Sequence, residues 1–256
     1  MSEARASEGL THWYTQHGEP CYTVVGKNGK VRPTTLRDAR DKKLAPSVTG
    51  IIKCAAAPGL VHYQQEQIML SALTLPRYEH EVEAEWISRV WADSREHARK
   101  AAEKGTACHA AIQQHYEGQI PDPAWFQHVQ GAVAAISDRF PGARWNVEQS
   151  FCHSIGYGGK VDLHTAEGCV LDIKTKEFSE TPDTYNEHHM QLAAYRQGLG
   201  MPAATCGICF VSVSVPGLAR IVMCSDEELD RGWEMFKALL AYWKAKSKYE
   251  SAIVHQ

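Results

Sequence analysis

Along the first fifty residues the apolar positions come in short runs broken by turn formers. VVGKNGKVRP sets Asn28-Gly29 between two extended pieces, a hairpin signal. Pro46-Ser47-Val48-Thr49 then leads into the apolar run IIKC. Over residues 58–72 the spacing becomes helical, with Leu60, Val61, Ile68, Met69 and Leu73 among the apolar positions and Pro58 suited to the first turn. Residues 79–118 continue in helical period: Val82, Trp86 and Val90, then Ile87 and Trp91, stand amid Glu, Arg and Lys that read as a solvated face. Trp86 and Trp91 are expected in the core. Gly105 is expected to divide this stretch from a second helix carrying His109. A third helix is predicted over 124–139, stopped by Pro141-Gly142.

The period then changes. Residues 145–152, 156–165 and 169–175 read as three consecutive strands, and 184–199 as a helix. A further hairpin is expected from 204–215 and 219–224. Ser225 and Glu228 form a capping-box pattern that opens a last helix, with Leu229, Trp233, Phe236, Leu240 and Trp243 on its apolar face. This order predicts a mixed α/β (α+β) fold: a central mixed β-sheet flanked by helices, with a helical amino-terminal part. One domain of 256 residues is expected, in which residues 1–104 supply a hairpin and a helical cover and residues 105–256 the chemical core.

Composition adds exclusions. Hydrophobic residues make up 44% and charged residues 22%, which suits a globular chain able to bury a core without disulfides. The eight cysteines are scattered, several inside apolar runs, and read as reduced, buried thiols. The start MSEARASEGL has no basic and apolar leader pattern, and no apolar run reaches the roughly 20 residues of a membrane span. A cytoplasmic protein without a membrane partner is therefore expected. The formal net charge of −3 argues against bulk positive attraction to nucleic acid, but not against a local groove whose charge bound cations complete.

The informative segment is GYGGKVDLHTAEGCVLDIKTK, residues 156–176. Asp172 and Lys174 are two apart, so on a strand they share a face. Ala166-Glu167-Gly168 fits a three-residue hairpin loop with Gly in the left-handed position. That register sets Thr165 opposite Cys169, and so Asp162 opposite Asp172. Two crowded carboxylates need neutralising, and hard oxygen donors favour Mg²⁺ or Mn²⁺. An acid–apolar–Lys triplet alone occurs by chance about once in a chain of this size. The other parts give it weight: Gly159-Lys160-Val161-Asp162 one hairpin upstream, His109 four residues after Gly105, and Gln191 and Tyr195 one helical turn apart. Lys160, Thr175, Lys176 and Arg196 flank these residues as candidates for phosphate contact. His188 and His189 are expected on an exposed helix face.

GTACH (105–109), GGKVD (158–162), LDIKT (171–175) and QLAAY (191–195) occur in the order found in RecB-like nucleases of the PD-(D/E)xK superfamily, which the chain resembles. The nearer likeness is to phage exonucleases and the mitochondrial genome maintenance exonuclease; PSVTGIIK and PGLVHYQQEQ are similar to phage members. The resemblance implies a restriction-endonuclease-like core and a Mg²⁺- or Mn²⁺-dependent DNA exonuclease with 5′-phosphate products. It implies His109, Asp162, Asp172 and the Ile173 carbonyl as metal ligands, Lys174 as the catalytic lysine and Glu148 as a helper acid. Gln191 and Tyr195 would position the DNA strand. Many members carry a cysteine group for an iron–sulfur cluster; Cys206, Cys209 and Cys224 do not reproduce it, so no cluster is expected. The implied partners are DNA with a free or single-stranded end and a recombination or single-strand-binding protein. A structure-specific or nicking endonuclease, a non-catalytic DNA-binding recombination partner and a Cys/His zinc protein remain open at this point.

Overall fold

The computed structural model describes residues 12–56 and 58–251; the amino-terminal stretch MSEARASEGL lies outside them. The amino-terminal part opens with β1 (Trp13–Tyr14), then the hairpin β2 (Thr23–Val25) and β3 (Val31–Pro33) around Asn28-Gly29. Gly29 takes φ +74°, the left-handed conformation the turn requires. Next come α1 (Leu36–Lys42), β4 (Ala45–Pro46), which pairs with β1, and α2 (Val48–Ile52). The PSVT run is a helix start: Ser47 Oγ accepts the Gly50 N–H at 3.0 Å, and α2 is buried.

Two long helices follow, α3 (Pro58–Thr74) and α4 (Glu83–Tyr116). The expected break at Gly105 is absent, and α4 runs unbroken for 34 residues. A mid-helix glycine costs about 1 kcal/mol against alanine. Here it permits a close approach instead: a Cβ at Gly105 would stand 2.7 Å from Thr175 Oγ1. The apolar residues of α3 are not core, since Leu60, Val61, Met69, Leu70 and Leu73 are all exposed. Trp91, expected inside, is 45% exposed with the Arg95 guanidinium 5.5 Å from its ring centre. Trp86 is partly buried and donates its indole N–H to Leu75 O across the α3–α4 connection.

The rest is a layered α/β unit. It comprises α5 (Phe126–Arg139), β5 (Asn146–His153), β6 (Tyr157–Thr165), β7 (Cys169–Lys176), α6 (Asn186–Gly198), β8 (Thr205–Ser212), β9 (Ala219–Cys224) and α7 (Asp226–Ser247). The central sheet runs β5-β6-β7-β8-β9, and only β7 and β8 are parallel. A parallel neighbour needs a crossover, and α6 supplies it. Two cores result. On one face Val170, Ile208 and Phe210 pack with α2, α6 and α7 through Ile51, Leu192, Leu229 and Phe236. On the other, Leu163, Leu171, Ile173 and Val211 pack with α4 and α5 through Cys108, Ile112, Val129 and Ile136. Cys206 and Cys209 fall on opposite faces of β8, one in each core, so their thiols cannot share an ion.

α6 and α7 meet closely at Gly232, where a Cβ would lie 2.6 Å from the His189 carbonyl carbon and oxygen. That contact is backbone and cannot swing aside. Gly232→Ala is therefore expected to destabilise the protein by about 1–3 kcal/mol, the cost of overpacking, despite alanine's gain of about 1 kcal/mol in helix propensity. Urea denaturation measures it; unchanged or higher stability would mean that the two helices can part at little cost.

Candidate active site

The hairpin β6–β7 is paired only at its closed end. Thr165 faces Cys169, His164 faces Val170 and Leu163 faces Leu171, the register expected from the Ala166-Glu167-Gly168 loop. Continued by one step, that register sets Asp162 against Asp172, but the ladder stops before them. The β5–β6 ladder is interrupted at the same level. It holds Val147 against Leu163 and Gln149 against Val161, yet skips Glu148 and Asp162. Glu148 has φ +55°, a left-handed conformation that costs a non-glycine residue energy and calls for a local cause. Three acids thus meet where the sheet's backbone pairing lapses.

Side chains replace the missing ladder. Asp162 Oδ2 accepts the Ile173 N–H at 2.7 Å, a donor that regular pairing would have given to a backbone carbonyl. The same oxygen lies 3.1 Å from His109 Nε2, brought in by α4. From the other face, Lys174 Nζ lies 2.7 Å from Asp172 Oδ2 and donates to Gln191 Oε1 at 3.0 Å. Gln191 Nε2 donates to Asp172 Oδ1 at 2.7 Å and to the Tyr195 hydroxyl at 2.9 Å. Glu148 is ion-paired with Lys160. His109, Glu148 and Asp162 present ligand atoms that all lie within 4.8 Å of one another, with Asp172 beside them. Two carboxylates and an imidazole suit a hard or borderline divalent cation. Three carboxylates meet two lysines and His109 here, and a cation that displaced the His109 proton would supply the positive charge in its place.

The two aspartates are electrostatically unlike. Burial pushes the Asp172 carboxyl up to about 6; Lys174 opposes this and Asp162 reinforces it. Burial would also raise Asp162, but His109, the Ile173 N–H and Lys174 outweigh it and hold Asp162 below the ordinary carboxylate range. Burial alone would lower Lys174, but Asp172 holds its pKa above normal, so it keeps its proton. His109 follows the same pattern, raised against burial by Asp162.

A groove of about 1370 Å³ runs from these residues outward between the core and the long helices. Its lining includes His109, Lys174, Thr175 and Lys176 at the inner end, and Lys104 of α4 and Tyr63 of α3 further out. The other expected residues divide. Thr175 is held against Gly105, and Lys176 lies over the Tyr185 and Phe210 rings. Lys160 is engaged by Glu148 rather than free. Arg196 is not available to phosphate: it is 3% exposed and donates to Asp230 at 2.6 Å. His189 is buried rather than on an exposed face, because α7 packs over it. His188 is partly buried, and burial together with Lys174, His189 and Lys176 pushes it down to about 4, so it is neutral.

Sequence reasoning missed the amino-terminal contribution. Tyr14 packs on Gly158, where a Cβ would meet its ring at 2.7 Å, and bonds Tyr22 hydroxyl to hydroxyl at 2.8 Å. His12 stacks on Tyr22; burial, then Lys53 and Lys160, lowers its pKa. Ser47 bridges to Gly158. The PSVT run and the paired glycines 158–159 were the only signals of this contact.

No protein-family model matches the chain, and no curated protein does. Solved structures that align with it include a protein assigned as an exonuclease from Eubacterium rectale, at 11% identity and TM-score 0.44 over 57% of this chain and 68% of that one. The alkaline exonuclease of Laribacter hongkongensis aligns at 16% identity and TM-score 0.33, over 55% of this chain and 80% of its own. The same exonuclease in complex with dAMP aligns at 14% identity and TM-score 0.28, over 72% and 88%.

A ligand carboxylate must lose its proton before it binds a cation. Because Asp172 is raised to about 6 and His109 above its usual value of 6.5, Mn²⁺ affinity is expected to fall by about tenfold per pH unit once His109 holds a proton, and by about a hundredfold per unit below about pH 6, where Asp172 must lose one too. An unperturbed aspartate would delay that second fall until about pH 4. Calorimetric titration of Mn²⁺ between pH 4 and 8 measures this; a slope that stays at one displaced proton down to about pH 4.5 would remove Asp172 from the ligand set.

Proposed function

We propose that this protein is a divalent-metal-dependent deoxyribonuclease with a PD-(D/E)xK core, hydrolysing phosphodiesters from a free DNA end. The observation that carries the reading is the constellation at the opened hairpin: Asp162 and Asp172 at one level of the sheet, with Lys174 clamped between Asp172 and Gln191. Nothing in the packing of the sheet calls for two carboxylates and a lysine there; burying them is costly unless they serve the chemistry.

His109, Asp162 and Asp172 would hold Mg²⁺ or Mn²⁺, with the Ile173 carbonyl and Glu148 as further oxygen donors. When bound, such an ion draws charge from a phosphoryl oxygen and makes water acidic enough to attack near neutral pH. In the reaction, the water oxygen bonds to phosphorus, the bond from phosphorus to the 3′ oxygen breaks, and that oxygen leaves with a proton. The product then carries a 5′ phosphate. Lys174 is a fixed positive charge that orients the attacking water and stabilises charge as it develops. Gln191 accepts from the Lys174 ammonium and donates to the Asp172 carboxylate, and its bond to the Tyr195 hydroxyl fixes it there. Thr175, Lys176 and Lys160 are assigned to the DNA backbone, Lys160 by exchanging Glu148 for phosphate.

The preference for ends is supported by the groove beneath α3 and α4, whose cover would admit a strand end more readily than a continuous duplex. DNA with a free or single-stranded end is the proposed substrate, and a recombination or single-strand-binding protein the proposed partner. Among the described residues no helix is long and apolar enough to cross a membrane.

End-labelled linear DNA, single- and double-stranded, should be degraded with Mg²⁺ or Mn²⁺ and not with EDTA, while closed single-stranded circles survive. Lys174→Ala should lose about 10²–10³-fold in rate, the scale for one preorganised charge, with DNA binding retained. Cutting of circles would replace the exonuclease with a nicking endonuclease. Intact substrates throughout, with DNA still bound, would leave a non-catalytic binding protein. In the same assay Glu148→Gln should act by a smaller factor than Lys174→Ala if Glu148 only assists; an equal loss would make it a principal ligand.

A further inference from the structure

A second group of unlike donors lies behind α6. His189 on α6, Cys224 at the end of β9 and Glu228 in the first turn of α7 bring one ligand atom each to within 4.8 Å of the others. His189 is 4% exposed, and its Nδ1 has no hydrogen-bond partner, an uncompensated polar atom in a buried ring. Its Nε2 lies 2.9 Å from Thr184 Oγ1 and 3.7 Å from Glu228 Oε1. Glu228 caps α7 through Oε2 alone, accepting from Ser225 N at 2.8 Å and Ser225 Oγ at 3.0 Å. Its Oε1 remains for another partner. Cys206 lies across the ladder from Cys224, but its thiol is turned to the Ala204 and Leu192 carbonyls.

We propose that His189, Cys224 and Glu228 form a zinc site that ties the first turn of α6 to β9 and α7. A thiolate, an imidazole and a carboxylate match the borderline softness of Zn²⁺ and not that of Mg²⁺. The charges balance: Cys224 gives up its proton on binding, and thiolate plus carboxylate neutralise the ion. Three protein ligands leave a fourth position for water. The Ser225 bonds orient Glu228 from outside, as metal sites require, and His189 Nε2, the ring nitrogen nearest Glu228, would exchange its Thr184 contact for the ion. The site's role is positional. Gln191 and Tyr195 follow His189 on α6, so fixing the start of that helix fixes the amide between Lys174 and Asp172. None of this depends on the nuclease reading.

The test uses the purified full chain with Co²⁺ as a spectroscopic stand-in, then Zn²⁺ in competition. One equivalent of Co²⁺ should give a thiolate-to-cobalt charge-transfer band that Zn²⁺ abolishes, and Zn²⁺ should raise the melting temperature. The band should be lost in Cys224→Ser, but kept in Cys21→Ser and in Asp162→Asn, which alters the other cluster. Glu228→Gln preserves the capping box, so it guards against simple misfolding; it should bind Co²⁺ at least tenfold more weakly with an unchanged circular dichroism spectrum. A folded protein with no charge-transfer band, or a band that survives Cys224→Ser, overturns the proposal.

Discussion

Two aspartates at adjacent positions across a hairpin repel each other, and a regular antiparallel ladder would hold them side by side with nothing between. The ladder instead ends at Leu163 and Leu171, and the Asp162 carboxylate takes the Ile173 N–H that the ladder gives up. The neighbouring pairing of Glu148 is also abandoned, at the cost of a left-handed residue. Everything else about the site depends on this opening. It lets His109 reach Asp162 from the helix layer on one face while Lys174 and Gln191 grip Asp172 on the other.

The surrounding elements are arranged to keep that opening in one geometry. α6 is the crossover demanded by the parallel step from β7 to β8, and it carries Gln191 and Tyr195 directly beneath the lysine. Gly105 lets α4 press against Thr175, which sets His109 one turn further along at the right depth. Tyr14 packs on Gly158 and is near enough to Glu148 to feel its charge. Burial then separates the two aspartates in proton affinity: Asp162, with its N–H and imidazole, stays charged, while Asp172 is raised. A lone carboxylate pair at this depth would share a proton; with a lysine and an imidazole supplied, the pair keeps the negative charge that a cation can use.

Much of the core was readable in advance because its signals are local. The period change near residue 145, the three-residue loop with Gly168 last and the Ser225–Glu228 box each act within a few residues, so the strands, the hairpin register and the final helix follow from neighbours in the chain. The failures share a different cause. Gly105 read as a break, Arg196 as a phosphate contact and His189 as exposed, and in these three cases a residue far along the chain decides the outcome. Thr175 receives the glycine, Asp230 claims the arginine and α7 buries the histidine. Trp91, also expected in the core, is 45% exposed, with Arg95 beside its ring.

By itself, then, the order of residues determined which chemistry could be present: the carboxylates, the lysine, the imidazole and the register that sets Asp162 level with Asp172. Those depend on alternation along a strand and on the length of one loop, both local properties of the backbone. Only the tertiary structure decided that the ladder would open there, which charges would face each other across the opening, and which flanking cations would remain free. Electrostatic pairing and burial are set by distance in space, and segments more than a hundred residues apart, Tyr14 against Gly158 and the amino-terminal helices against the sheet, supply that distance.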